Sequence, residues 1–294
     1  MKTEQLKNFE ANLSELNDCY SHYIFVWEQF SLDQANTIKK YGKKMTTEIF
    51  DKNSNSGQFN VSLDYLSQSH DETQNLILKS IYQLAYGYFE NYLIQLHKFA
   101  QSLDPTIKDR QQKLENNEAD EKTGDIEDNK VFEKVFNRLK IDIPSSFEPL
   151  ELKTLDYIRL RRNRITHRAT SAEGTIVEIT NNYGKKINDF WDNHLRHKRY
   201  KIDFSIKRID NFDKNELFDF LNIYRYIAIK INNLFIEKIG HTVLVEYFFY
   251  KFVETHGQKM HNFKDDRKKA KFKMYCKVEF GYEISEYELG NVKF

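Results

Sequence analysis

The sequence predicts an all-α protein, a helical bundle with long central helices. Three observations lead there. Three prolines and ten glycines are few interruptions for 294 residues, so long stretches run without a forced turn. Apolar residues recur at three- and four-residue steps over much of the chain. Two helix-start signatures, Ser31-x-x-Gln34 and Asp213-x-x-Glu216, stand at the head of such stretches.

Along the chain, Leu6, Phe9, Leu13 and Leu16 share one helix face, and Tyr23, Phe25, Val26 and Phe30 form a broader apolar cluster. Ser31 is expected to cap a fresh helix. Asp51 to Gly57 reads as a turn. A helix beginning at Asp71 has the clearest pattern: Leu78, Ile81, Ala85, Phe89, Tyr92, Leu96 and Phe99 make one stripe, widened by Ile77, Leu84, Tyr88 and Leu93. An apolar surface that broad calls for cover on more than one side, from its own bundle or from a second subunit.

From Gln101 to Lys130 apolar residues almost vanish, and between Glu115 and Asp128 seven acidic residues surround a single Lys122, which predicts a flexible acidic insertion. A short helix is expected over Val131–Leu139. Pro144 and Pro149 mark a loop, and a new helix follows. Gly174 and Gly184 are expected in an irregular region. The helix after Asp213 buries Leu217, Leu221, Tyr224, Ile227, Ile231 and Phe235. Val243–Val253 is expected to be helical, Lys264–Lys273 is a basic run, and Met274–Leu289 alternates in the manner of a short β-hairpin. These readings divide the chain into an N-terminal helical region (1–70), a core (71–240, with the insertion at 104–130) and a basic, aromatic extension (241–294).

Composition narrows the class. With 40% apolar and 30% charged residues the chain is globular and polar. No window approaches an unbroken apolar span, and Met1 to Gln5 turn polar at once, so no membrane association and a cytoplasmic location are expected. Cys19 and Cys276 stand far apart at no metal or redox spacing and read as ordinary thiols. The net charge of +1 neither supports nor excludes nucleic acid, because distribution decides that.

The segment Arg162-Asn163-Arg164-Ile165-Thr166-His167 is the most informative about chemistry. Arginine holds a phosphate through a planar fork that keeps its charge, and histidine moves protons near neutral pH. On a helix starting near Leu152, the residues Leu152, Leu155, Ile158 and Ile165 form a stripe with Arg162 in its middle. An arginine there must be paired or must line an open groove. Arg162 and His167 are offset by about 140° on an ideal helix, so they converge only if the helix ends or bends near Thr166, if the arginine reaches around, or if a twofold dimer brings two copies together. Cleavage of RNA by its own 2′-hydroxyl needs a base, an acid and positive charge on the phosphorane. His167 suits the first roles and Arg162 the last, with Arg161 or Arg164 in support. Asn163 would orient the imidazole or donate to the phosphate. Arg159 and Arg168 extend the basic face.

Arg162-Asn163-x-x-x-His167 resembles the signature of the HEPN superfamily (higher eukaryotes and prokaryotes nucleotide-binding). The helix Ile81 to Leu93, with Phe89-Glu90 in an apolar run, resembles the family's earlier core helix. The resemblance covers about Asp71 to Gly240. It implies a helical bundle that dimerises through the motif-bearing helices, and a metal-independent endoribonuclease, often a toxin or an antiviral or abortive-infection effector. By that resemblance Arg162 is the phosphate-binding arginine, Asn163 the polar residue after it and His167 the catalytic histidine, with Glu90 a partner to Arg162. Arg161 also fits the looser spacing; Arg162 is preferred because Asn163 follows it. An antitoxin or regulatory protein is a further partner the resemblance allows. Members paired with a nucleotidyltransferase antitoxin place a tyrosine two residues after the histidine; here Ala169 stands there, which speaks against silencing by that route.

Other basic residues read as RNA contacts: Arg196, Lys198 and Arg199 in the segment His194 to Lys201, and Lys268 and Lys269 in the tail run, with Phe263, Phe272 and Tyr275 as stacking groups. His194-x-x-His197 has metal-pair spacing, but neighbouring cations argue against a metal, and neither metal nor cofactor is expected. The alternatives to a nuclease are a non-catalytic RNA-binding or scaffold protein and a helical protein–protein adaptor.

Overall fold

The computed structural model describes residues 1–107, 131–167, 170–195, 202–206, 212–260 and 263–292, with backbone alone at 167, 170–173 and 259–260. Among these residues the chain is all-α: α1 (Glu4–Tyr41), α2 (Thr46–Ile49), α3 (Leu63–Leu103), α4 (Val131–Leu139), α5 (Ile143–Ser146), α6 (Pro149–His167), α7 (Thr170–His194), α8 (Glu216–Ile239), α9 (His241–Met260), α10 (Asp265–Phe280) and α11 (Glu286–Gly290). The acidic insertion expected at 104–130 lies almost wholly outside the described residues, from 108 on. No described helix is long and apolar enough to cross a membrane.

The chain forms two compact units, and α1, α3, α6 and α8 contribute residues to both. The first comprises Met1–Ala11, Gly87–Lys153 and Ile223–Phe294. Its core is aromatic: Phe9 stacks on Tyr92 at 5.2 Å, Phe89 packs on Tyr224, and the Tyr92 hydroxyl donates to the Ala228 carbonyl at 3.1 Å. Thr3 caps α1, its Oγ1 accepting from the Leu6 N–H at 3.2 Å. Buried Asn232 on α8 holds that cap, its Oδ1 accepting from Thr3 N and Oγ1 and its Nδ2 donating to the Met1 carbonyl. Glu151 at the start of α6 is closed off from solvent and pairs with Lys230 at 2.6 Å.

The second unit comprises Asn12–Tyr86 and Thr154–Asn222. Trp191 lies at its centre, its indole N–H donating to Thr154 Oγ1 at 2.9 Å. Asn188 on α7 organises the segment 202–206, donating to Asp203 and accepting from the Phe204 N–H. Asp219 on α8 accepts from the Ile202 N–H.

Several expectations hold residue by residue. The α3 stripe from Leu78 to Phe99 and the six apolar positions of α8 are buried, and α4 spans Val131–Leu139. Others are corrected. Ser31 does not restart a helix: α1 continues through it, because neither glycine nor proline interrupts the surrounding turns. α3 begins at Leu63 rather than Asp71; Ser62 supplies the cap, its Oγ accepting from the Tyr65 N–H. Leu84 is 49% exposed, and Phe25 is more exposed still, so neither apolar cluster is fully covered within the chain.

Gly174 and Gly184 lie inside α7, not in irregular chain. A Cβ at Gly184 would come within 2.4 Å of the Phe204 carbonyl oxygen, so this glycine admits a crossing backbone rather than breaking the helix. The expected hairpin at Met274–Leu289 is replaced by the end of α10 and by α11. Phe272, Cys276 and Phe280 bury a helical face, and Gly281, at φ 58°, ends it. Ser285 and Glu288 then form a capping box for α11. Local capping chemistry outweighs a short alternation.

Candidate functional site

The helix α6 carries four arginines, and the structure sorts them sharply. Its buried line in the second unit is Thr154, Tyr157, Ile158 and Arg161. Of the stripe expected from sequence, only Ile158 is fully buried; Leu155 and Ile165 are half-buried. The arginine inside the core is therefore Arg161, not Arg162. Its Nη1 lies 3.0 Å from Glu216 Oε2, and its side chain is 1% exposed. The guanidinium sits over the Phe212 ring at 3.9 Å, with the rings of Phe220 and Tyr82 nearby.

Electrostatics follow from that enclosure. Burial works against charge on Arg161, but Tyr157, Glu216 and Tyr82 outweigh it and the guanidinium stays charged. Burial pushes the Glu216 carboxyl up, and Arg161 opposes it without cancelling it. Burial also raises the Tyr157 phenol, which hydrogen-bonds Arg161. Tyr82 donates its hydroxyl to the Ile158 carbonyl at 2.8 Å, tying α3 to α6. A phosphate could reach Arg161 only by opening this core, so its part is to anchor the helix. Sequence reading recognised Glu216 only as a capping residue. The missed signal was the spacing Thr154, Tyr157, Ile158, Arg161, which runs on one face.

Arg162 points elsewhere. It is half-buried, and its Nη1 donates to Asn163 Oδ1 at 3.0 Å while its guanidinium lies over the Tyr86 ring at 5.3 Å. Asn163 is 5% exposed. The amide expected to orient the imidazole or donate to phosphate thus accepts from the arginine and fixes its fork. The turn that leads to His167 is held as well: Thr166 Oγ1 donates to the Arg162 carbonyl at 2.9 Å, and Gln83 Nε2 donates to Thr166 Oγ1 at 3.2 Å. α6 is described as far as His167. The His167 side chain lies outside the described residues, as do Arg168, Ala169, Arg196, His197, Lys198 and Arg199.

Arg159 Nη2 lies 3.7 Å from Asp156 Oδ1 on its own helix, and Arg164 is half-buried. Glu90 belongs to the first unit and is half-buried. Lys268 and Lys269 also fall in that unit, on α10, where Lys268 approaches Asp265 at 3.4 Å. His194 stacks on Phe190 at 4.0 Å. Among the described residues no cluster of histidine, cysteine or carboxylate could hold a metal ion. The Arg162–His167 segment of α6 can present a fixed guanidinium fork, backed by Tyr86 and Asn163, beside the backbone position of a histidine.

Compared with protein-family models, with curated proteins and with solved structures, the chain matches none.

Proposed function

We propose that the chain is a metal-independent endoribonuclease whose chemistry sits in the Arg162–His167 segment of α6. The observation that supports this most is the Arg162–Asn163 hydrogen bond of 3.0 Å in the last turn before His167. A guanidinium held by its neighbour gives up little freedom when it grips a phosphate. In this reading Arg162 stabilises the phosphorane, and His167 moves the protons of 2′-hydroxyl attack.

The reaction needs one proton removed and another delivered. A single motif offers one imidazole, so a homodimer joined at the motif-bearing helices supplies both. Leu84, 49% exposed and adjacent in sequence to the Gln83 that binds Thr166, is apolar surface of the kind such an interface would cover. The resemblance to the HEPN superfamily points the same way and extends the reading to a toxin or antiviral effector in the cytoplasm, with RNA as substrate and an antitoxin or regulatory protein as further partner.

The test is RNA degradation by purified protein in excess chelator. Wild type is expected to cut, and His167→Ala to bind RNA with unchanged salt dependence but not cut. If both bind and neither cuts, the protein is a non-catalytic RNA-binding or scaffold protein. If neither shows salt-dependent binding, it is a protein–protein adaptor and the RNA reading fails.

A further inference from the structure

A cavity of about 880 Å³ opens within the second unit, between α1 and the loop that follows α2. Its size is that of a small-molecule site. Tyr23, Trp27 and Phe30 from α1 line it together with Phe50 and Phe59. These rings are set in place before anything binds. Trp27 stacks flat on His70, with centroids 4.1 Å and planes 9° apart. Phe30 leans on Trp27 at 5.4 Å, and Phe50 on Phe30 at 5.8 Å.

The loop wall is stapled too. Thr46 Oγ1 donates to the Phe59 carbonyl at 3.1 Å, Thr47 Oγ1 to Asn60 Oδ1 at 2.8 Å, and the Asn53 N–H to Ser56 Oγ at 2.8 Å. The Thr46 N–H donates to the Val61 carbonyl at 2.8 Å and closes the loop at its base.

Charge decides what such a cavity prefers. Among the described residues that line it there is one carboxylate, Asp51, and neither lysine nor arginine. An anion would find no ammonium or guanidinium among them. Aromatic faces carry negative quadrupole potential and attract cations, most strongly where water is excluded. Burial pulls the His70 imidazole below its ordinary pKa, so the group behind Trp27 adds no competing positive charge near neutral pH.

We propose that this cavity binds a small organic cation, an alkylated ammonium bearing an apolar or aromatic substituent. The aromatic rings would surround the ammonium head, and Asp51 would balance its charge from the rim. The site is independent of the α6 reading, since none of its lining residues belongs to that helix.

The experiment titrates three probes that share a benzyl group, at pH 8: benzyltrimethylammonium, benzyl alcohol and phenylacetate. Two readouts are built in. Trp27 lines the cavity, whereas Trp191 is fully buried, so changes in indole emission report on Trp27. Cys19 lines the cavity and is exposed, whereas Cys276 is buried, so the rate of Cys19 alkylation by iodoacetamide reports occupancy. Benzyltrimethylammonium is expected to shift emission saturably and slow Cys19 alkylation, binding about tenfold or more tighter than benzyl alcohol, with phenylacetate weakest. Asp51→Asn, in an exposed loop, is expected to reduce the preference for the cation severalfold without altering the thermal melt, and Phe59→Ala to weaken binding of all three. Equal affinity for the alcohol or the anion would overturn the proposal. So would an unchanged cation preference in Asp51→Asn, or no saturable signal up to about 10 mM probe.

Discussion

Arg161 Nη1 lies 3.0 Å from Glu216 Oε2, with both side chains withdrawn from solvent. One residue further along, Arg162 turns to Asn163 and Tyr86. The two adjacent arginines thus have opposite fates, because successive residues on a helix are rotated by about 100°. The first locks α6 against α8, and the second is left near the surface on a helix that is already fixed.

Removing one partner of the buried pair should cost far more than removing both. Arg161→Met strands a buried carboxylate and is expected to lose about 3–5 kcal/mol of stability. Glu216→Leu strands a guanidinium that cannot shed its charge and should lose at least as much. The double variant Arg161→Met/Glu216→Leu should recover most of the loss, because a packed apolar pair carries no unpaired charge. Urea denaturation of the four proteins checks this, and additive losses would refute it.

The two glycines of α7 should respond with opposite sign. At Gly174 an added Cβ meets open space, so Gly174→Ala should gain up to ~1 kcal/mol from helix propensity alone. At Gly184 the new methyl would strike the Phe204 carbonyl oxygen at 2.4 Å and the Ser205 Cα at 2.6 Å, both backbone atoms. Gly184→Ala should lose about 1–3 kcal/mol despite the same propensity gain. Thermal melts of the two variants decide it.

Stability should fall on mild acidification through His70. Burial lowers its pKa; Asp71 and Glu28 pull the other way, and Lys214 reinforces the shift. The folded chain therefore takes up this proton less readily than the unfolded chain. The contribution is full above pH ~6.5 and is lost as pH falls below it. His70→Phe keeps a ring against Trp27 and removes the titration, so its melting temperature should vary less between pH 7.5 and 5.5 than that of wild type. Equal slopes would contradict the assignment.

Much of the fold was legible because long helices write their buried faces plainly. The α3 and α8 stripes and the bounds of α4 follow from spacing alone. Two of the errors share one cause, a tertiary partner that no local pattern reveals. Gly184 reads as a helix breaker until the backbone of 202–206 lies against it. Arg161 reads as a supporting arginine beside Arg162 until Glu216 and Phe212 enclose it. The hairpin expected near the C-terminus ignored the left-handed Gly281 and the Ser285 cap, both stronger than a brief alternation. The aromatic cavity was hidden for a similar reason. Tyr23 and Phe30 look like core residues in sequence, and only the closed loop after α2 turns them into walls.

The central claim is that Arg162 and His167 cut RNA through its own 2′-hydroxyl. The most direct measurement follows one end-labelled RNA in chelator, beside the same strand with a single 2′-deoxy nucleotide at the mapped scissile position. The account predicts 2′,3′-cyclic phosphate ends from wild type and no cut at the deoxy position. It also predicts a loss of ~100-fold or more in Arg162→Ala and His167→Ala, with melting temperatures within a few degrees of wild type. Cleavage of the deoxy strand at that position, or undiminished cutting by folded His167→Ala, would contradict it.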